Sequence, residues 1–355
     1  MYSPIKFHNV NTSFSKALKE KINLYFSQKA YLKEGNSKLF LKAGVLISTL
    51  VLMYVLLVFV QPVWYVSILL CVFFGFNLAA IGFNIMHDAG HDTFSSNKTV
   101  NRIFSYSLNL LGGNIFLWKL KHNIAHHTFT NIDGADHDIE IKFMRVHPDQ
   151  PLEKIHKYQR FYFIFLYSIS YLAWIFYQDY EKFFMQRLSK DSKKFVLPVR
   201  EKVIFWLSKA LHGLLFIVIP IIFLGPMKAL IGILVASLVC GLTLATIFQL
   251  AHVVEDTEFN TVLNNKVDDE WMVHQIRSTS NFATRSKVLT WFLGGLNYQV
   301  EHHLFPRISH IHYPQLNSIV KETCKEFGLK YNEHKTLFCA FKSHFQVIGM
   351  MSKQV

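Results

Sequence analysis

"LFLKAGVLISTLVLMYVLLVFVQPVWYVSILLCVFFGFNLAAIGFNIM", residues 39–86, carries one charged side chain, Lys42, and is interrupted only at Gln61-Pro62. About 20 mostly apolar residues cross the roughly 30 Å of hydrocarbon in a bilayer. The stretch therefore holds two spans, 39–60 and 63–86, turned back on each other at the proline. The pattern recurs at 203–224 and 229–250, on either side of Gly225-Pro226. Four such segments, in a chain that is 51% hydrophobic, imply an all-α integral membrane protein.

A fifth segment, 161–177, is shorter and contains tyrosines and serines. The lysine-rich N-terminus (Lys6, Lys16, Lys19, Lys21) places itself in the cytosol by the positive-inside bias. It lacks the short apolar core of a signal peptide. If 161–177 crossed the membrane, the basic stretch holding Lys182, Arg187, Lys193, Lys194, Arg200 and Lys202 would lie outside, and so would the C-terminal third. The expectation is four transmembrane helices in two hairpins, with 161–177 as an aromatic-rich interfacial helix and a cytosolic helical cap. Residues 1–38 form a cytosolic N-terminal segment, 39–330 the membrane domain and 331–355 a cytosolic tail.

Lys and Arg number 37 against 24 Asp and Glu, but no dense basic run interleaved with aromatics suggests nucleic acid. The excess suits anionic lipid head groups. The four cysteines form no CxxC, so neither a disulfide framework nor a zinc ribbon is signalled.

Histidines collect where the spans end. His87 and His91 lie four apart in "HDAGH", His122 and His126 repeat that spacing in "HNIAHH", and His127 follows. His252 ends the fourth span, and Gln299, His302 and His303 stand in "QVEHHLFP". Parity puts all four groups at one membrane surface. Any one of them alone reads as an interfacial histidine with a satisfied hydrogen bond. Eight together read as a metal site, because collecting neutral imidazoles otherwise has little purpose. Eight nitrogens exceed the four of a tetrahedral zinc, so two metals of higher coordination number are indicated; imidazole suits iron, copper, nickel and zinc.

"HDAGH", "KHNIAHHTFTNIDGADHDI" and "QVEHHLFP" resemble the three histidine boxes of membrane fatty acid desaturases. Gln299 at the head of the third box is similar to the front-end group, which inserts a double bond between an existing one and the carboxyl end. The likeness continues through "WMVHQIRSTSNF" and "HLFPRISHIHYPQL" and covers roughly residues 80–330. It implies a fatty acyl desaturase that makes a cis double bond, with two iron ions, molecular oxygen and an acyl-CoA or acyl-lipid substrate whose chain lies between the spans. The implied iron ligands are His87, His91, His122, His126, His127, His252, His302 and His303. Gln299 takes the place of a ninth, directly or through water. His274 matches no ligand position.

Asp88, Asp136, Asp138 and Glu301 would accept the second ring N–H of ligating histidines, with Asn281 a further partner; the alternative for Asp138 is a solvated acidic turn. Arg102, Lys119, Lys121, Arg145 and Arg277 are candidates for the substrate's polar head, although positive-inside charge explains them equally well. Gly75, Ala79, Ala80, Gly82, Gly241 and Ala245 mark either close helix packing or room for an acyl chain. No HPGG haem motif is present, and 38 residues before the first span are too few for a fused cytochrome b5 domain. A separate donor of ferredoxin or cytochrome b5 type is expected. So is a multi-pass location in a bacterial inner membrane, with both termini and the metals on the cytosolic side. The rivals are a di-iron membrane hydroxylase or ketolase and a non-catalytic haem- or metal-binding membrane protein; the last would place ligands within spans rather than at their ends.

Overall fold

A computed structural model describes residues 5–7, 12–29, 32–139, 141–189, 192–260 and 266–353. Parts of the N-terminal segment, residues 1–4, 8–11 and 30–31, lie outside the described residues. The helices used below are α1 Ser13–Lys29, α2 Ser37–Val60, α3 Trp64–Gly90, α4 Lys98–Ser105, α5 Lys119–His126, α6 Lys154–Met185, α7 Val199–Leu224, α8 Pro226–His252, α9 Trp271–Ser278, α10 Gln299–Leu304, α11 Tyr313–Glu326 and α12 Leu337–Met351. Two short parallel pairs complete it: β1 Lys6–Phe7 with β2 Lys266–Val267, and β3 Asn281–Phe282 with β4 Glu333–His334.

Five helices, α2, α3, α6, α7 and α8, are long and apolar enough to cross a membrane, and the chain is a multi-pass membrane protein. The expected interfacial helix 161–177 is thus part of a 32-residue helical run. Hydropathy picks out only its apolar middle. The polar residues at its ends are buried and bonded: Gln159 accepts from Arg145 N and donates to Ile348 O, and Asp179 accepts from Lys209.

The chain forms two compact units, residues 36–120 with 163–246, and residues 1–35, 121–162 and 247–355. In the first, the span unit, α2 is capped by Asn36, whose side chain accepts from Lys38 N. It stops where Gln61 turns left-handed before Pro62. Gly225, at φ 77°, ends α7, and Pro226 opens α8, a division of labour that suits both residues. Small residues let these helices touch. A Cβ on Gly75 would lie 2.9 Å from Val239 Cβ, and one on Gly241 would lie 3.0 Å from Tyr171 N, so both glycines serve packing rather than leaving a void. A separate apolar cavity of about 390 Å³ is walled by Tyr54, Cys71, Phe74, Tyr171, His212 and Phe216, among others.

In the second, the histidine unit, the lysine-rich α1 is amphipathic. Phe14, Leu18, Ile22 and Phe26 recur every four residues and bury themselves against Met272 and Ile276 of α9 and Leu316, Val320 and Cys324 of α11. The last 25 residues contain β4 and α12, and Arg145 binds the end of α12 through the carbonyls of Met351 and Lys353. Buried His344 of α12 hydrogen-bonds Val253 O at 2.7 Å, next to the end of α8.

Burial pushes the His344 imidazole down to about 4, despite that carbonyl. The unfolded chain, with a histidine near 6.5, then binds the extra proton between pH 6.5 and 4, and stability falls as pH drops through that window by about 3 kcal/mol in total. His344→Gln should lose correspondingly less stability than the wild type when unfolding is compared at pH 7 and pH 4.5. Identical pH dependence in the two proteins would remove this assignment.

Candidate metal centre

Six histidines converge within the histidine unit. One ring nitrogen each of His126, His252 and His303 lie within 4.8 Å of one another, as do one each of His127, His302 and His303, two groups that could hold a metal. All are buried. The convergence depends on an unusual local geometry. Residues 119–126 wind as a π-helix, which closes hydrogen bonds five residues apart instead of four. On an ordinary α-helix His127 would point well away from His122. Here their Nε2 atoms are 3.3 Å apart while His126 stays alongside, its ring 5.2 Å from that of His122. His252 arrives at the C-terminus of α8, and His302 and His303 on the short α10. The ring of Phe248, one turn earlier on α8, packs 5.1 Å from both His126 and His252 and dries that side.

The opposite ring nitrogens are held by oxygens. His126 Nδ1 meets Asp136 Oδ2 at 2.8 Å, and His122 Nδ1 meets Asp138 Oδ2 at 2.8 Å. His303 Nδ1 is 2.9 Å from Gln275 Oε1, which also accepts from Thr130 at 2.9 Å. His302 Nδ1 is 3.1 Å from Tyr313 Oη, and His252 Nδ1 is 3.4 Å from Ser278 O. Carboxylate, amide and carbonyl oxygens only accept, so the contacts of His122, His126, His252 and His303 favour a proton on Nδ1 and leave Nε2 to ligate. His126 Nε2 and His252 Nε2 are buried with no hydrogen-bond partner among the described residues. Buried polar atoms are rarely left so. A transition metal between them would satisfy both, and the all-nitrogen donor set fits one that accepts imidazole.

Charge supports the same arrangement. Burial pushes the Asp138 carboxyl up, but the Lys121 ammonium, 2.6 Å away, and His122 outweigh it and hold Asp138 well below the usual carboxylate range. Burial pushes His126 down, yet Asp136 more than compensates and leaves it above its ordinary value. For His122 burial wins and the imidazole titrates below its ordinary value. Asp136 and Asp138 thus stand as two ionised carboxylates behind the imidazoles, a charge that favours a cation at the site.

Other expected residues are placed differently. His87 and His91 lie in the span unit at the end of α3, ring centroids 4.7 Å apart as their spacing of four implied, with buried Asp88 between them. Gln299 is buried, and its Nε2 donates to Leu296 O at 2.9 Å. Glu301, expected beside a histidine, instead points into a polar cage: it accepts from Asn281 at 2.8 Å, Tyr331 at 2.7 Å and Asn317 at 3.3 Å. Asn281 therefore serves Glu301 rather than a ligand. Helical geometry explains this, since Glu301 precedes His302 and projects about 100° around α10 from it.

Among the basic candidates, Arg145 is a correction. It is buried, and its guanidinium is taken by the carbonyls of Pro148, Gln150, Met351 and Lys353. Lys121 is engaged with Asp138, and Arg277 with Asp269 at 3.0 Å. Lys119 has only a 3.4 Å pair with exposed Asp92, and Arg102 is exposed on α4. Reading from sequence missed Gln275, Thr130, Tyr313 and Ser278. The first lies within "WMVHQIRSTSNF", beside the more conspicuous His274.

Removing one oxygen that orients a ligating histidine typically weakens metal binding 10–100-fold. Asp136→Asn and Gln275→Leu should each do so by about that factor, measured as metal lost to a competing chelator from purified protein. Wild-type retention in both would show that these contacts do not orient ligands.

The sequence model of the fatty acid desaturase family matches residues 32–335. The chain is 34% identical over 344 residues to an sn-1 linoleoyl-lipid 6-desaturase of Arthrospira platensis, covering 96% of this chain and 92% of that protein. It is 35% identical over 345 residues to the Synechocystis protein of the same name, covering 96% of each. An acyl-lipid (8-3)-desaturase of Physcomitrium patens is 33% identical over 340 residues, 94% of this chain and 71% of that one. With the family matched across most of its length and relatives of this identity spanning nearly all of it, the chain belongs to the fatty acid desaturase family.

Proposed function

We propose that this chain is an O2-dependent front-end acyl-lipid desaturase that introduces a cis double bond on the carboxyl side of an existing one. The observation that carries the reading is the set of buried imidazoles that cluster closely enough to hold a metal while their Nδ1 atoms are tied to oxygens. The relatives' names, lipid 6-desaturase and acyl-lipid (8-3)-desaturase, favour an acyl-lipid over an acyl-CoA and a position near the carboxyl end.

The ligands we assign to two irons are His87, His91, His122, His126, His127, His252, His302 and His303. Gln299 adds its amide oxygen directly or through a water, since its NH2 is already bonded. With O2 and two electrons, the irons supply the oxidising power for removing two hydrogens from neighbouring unactivated CH2 groups, which no side chain has. The side chains contribute position. Asp136, Asp138, Gln275 and Tyr313 hold the imidazoles in one tautomer and direction. Phe248 keeps water from His126 and His252. Asp88 is kept as a further carboxylate beside ligands, whereas Glu301 and Asn281 brace α10.

The acyl chain fits the apolar cavity of the span unit, where each buried CH2 contributes roughly 0.8 kcal/mol. Leu78 on the cavity wall is nine residues before His87 on α3, about 14 Å along a helix rising 1.5 Å per residue. The cavity would therefore take the methyl-terminal part of the chain. Arg102 and Lys119 remain for the polar head.

For topology we retain four crossings, α2 with α3 and α7 with α8, with α6 at the interface. α6 is the least apolar of the five long helices. It meets α8 at Gly241, about 16 Å from the His252 end. Both termini and the irons then lie on the cytosolic side of a bacterial inner membrane, facing a separate donor of ferredoxin or cytochrome b5 type.

The test is fatty acid analysis of a desaturase-free bacterial host that expresses this chain with a ferredoxin and its reductase and is fed dienoic fatty acids, beside His302→Ala. A new cis double bond on the carboxyl side, found in complex lipids and absent from the variant, is expected. A hydroxylated product would move the assignment to the hydroxylase class.

A further inference from the structure

Backbone outside a helix carries unpaired N–H and C=O groups, and within a membrane-embedded unit each needs a protein partner. Between the short helices Ser107–Leu110 and Ile115–Trp118 the chain turns through Leu111, Gly112 and Gly113. Three successive carbonyls at this turn are each taken by a different side chain. Leu110 O accepts from His212 Nδ1 at 3.0 Å, Leu111 O from the Tyr171 hydroxyl, and Gly112 O from Lys209 Nζ at 2.6 Å. Asn109, just before them, donates to Ser208 Oγ at 3.2 Å.

The donors are arranged by helical periodicity. Ser208, Lys209 and His212 share one face of α7, and Tyr171, Ile175 and Asp179 share one face of α6. Lys209 uses all three of its protons, on Gly112 O, on Ile175 O at 2.7 Å and on Asp179 Oδ2 at 3.1 Å. Asp179 also accepts from Trp174 Nε1 at 3.1 Å. Gly112, at φ 95°, is needed twice over: its backbone is left-handed, and a Cβ would sit 2.9 Å from the His212 ring. An apolar pair in place of Lys209 and Asp179 would avoid burying two charges but would leave Gly112 O and Ile175 O without this donor. What the ion pair adds is direction: Ile175 O and Asp179 hold the Lys209 ammonium so that its remaining proton meets Gly112 O on a turn that no helix holds.

That turn leads into Trp118, whose indole lies 5.8 Å from the His87 ring and 5.7 Å from the His91 ring. It presses so closely on Gly90 that a Cβ there would be 3.1 Å from one indole carbon and nearer still to another. We propose that Lys209, Tyr171 and His212 are positioning residues for the metal bound by His87 and His91: by gripping the carbonyls of residues 110–112 they fix Trp118, and Trp118 fixes the two imidazoles. This rests on the reading of His87 and His91 as ligands.

The test uses the full chain in lipid nanodiscs, as Tyr171→Phe, Lys209→Met and Lys209→Arg, with His87→Ala as the ligand control. Deuterium exchange of metal-free protein reads the turn itself. Residues 109–118 should exchange about tenfold faster in Lys209→Met, less so in Tyr171→Phe, and near the wild-type rate in Lys209→Arg. Iron(II)-loaded protein challenged with a chelator reads the metal. Lys209→Met should lose iron at least about tenfold faster, within the range seen when groups behind metal ligands are removed, again with recovery in Lys209→Arg. Tyr171→Phe removes a single oxygen and keeps the test open if Lys209→Met fails to fold.

Wild-type exchange at 109–118 in both Tyr171→Phe and Lys209→Met would overturn the proposal. Faster exchange with unchanged iron loss would overturn the positioning role. If His87→Ala holds iron as firmly as the wild type, the ligand reading is what fails, and the exchange results alone decide whether the turn is gripped as described.

Discussion

An imidazole has two ring nitrogens and can offer one to a metal reliably only while the N–H on the other is satisfied. Much of the histidine unit follows from that requirement. Each of five histidines, His122, His126, His252, His302 and His303, has its Nδ1 against an oxygen from a different place in the chain. Asp136 and Asp138 belong to the turn after the second histidine group, Gln275 and Ser278 to α9, and Tyr313 to α11. Elements that carry none of these histidines, α9, α11 and the turn at 131–138, bring these oxygens into place, and the apolar seam of α1 against α9 and α11 secures them.

The span unit meets the corresponding demand for backbone groups. Helices satisfy themselves, and they approach closely where Gly75 and Gly241 leave out a side chain. The carbonyls of the turn at residues 110–112 receive hydrogen bonds from side chains of α6 and α7. The Nε2 atoms of His126 and His252, buried without a hydrogen-bond partner among the described residues and set within a cluster of imidazoles, stand out as places for a metal.

What could be read from the sequence was whatever has a simple period. Four long apolar runs, the i, i+4 histidine pairs and the Gly-Pro and Gln-Pro breaks all specify local structure directly, and their positions agree with the helices seen. The full length of α6 escaped, because Gln159 and Asp179 look like solvent-facing ends until their partners on distant segments are known. The orientation of His127 escaped because it depends on a π-helix, which shifts the register of a face without leaving a composition signal. Glu301 was assigned to the histidines on adjacency alone, yet a neighbour in a helix faces elsewhere, here toward Tyr331 and Asn281. Arg145 read as a surface cation because nothing local reveals that the carbonyls of Met351 and Lys353, some 200 residues on, join those of Pro148 and Gln150 around it. Gln275 and Thr130 carried no warning at all: both are common residues whose role is set by tertiary contact.

The most direct measurement is iron K-edge X-ray absorption on the purified, iron-loaded chain, together with its metal content. Two irons per chain, with shells of nitrogen and oxygen showing the multiple scattering of imidazole rings and no sulfur, are expected. A haem spectrum, a single iron, or sulfur in the first shell would contradict a centre built from these histidines.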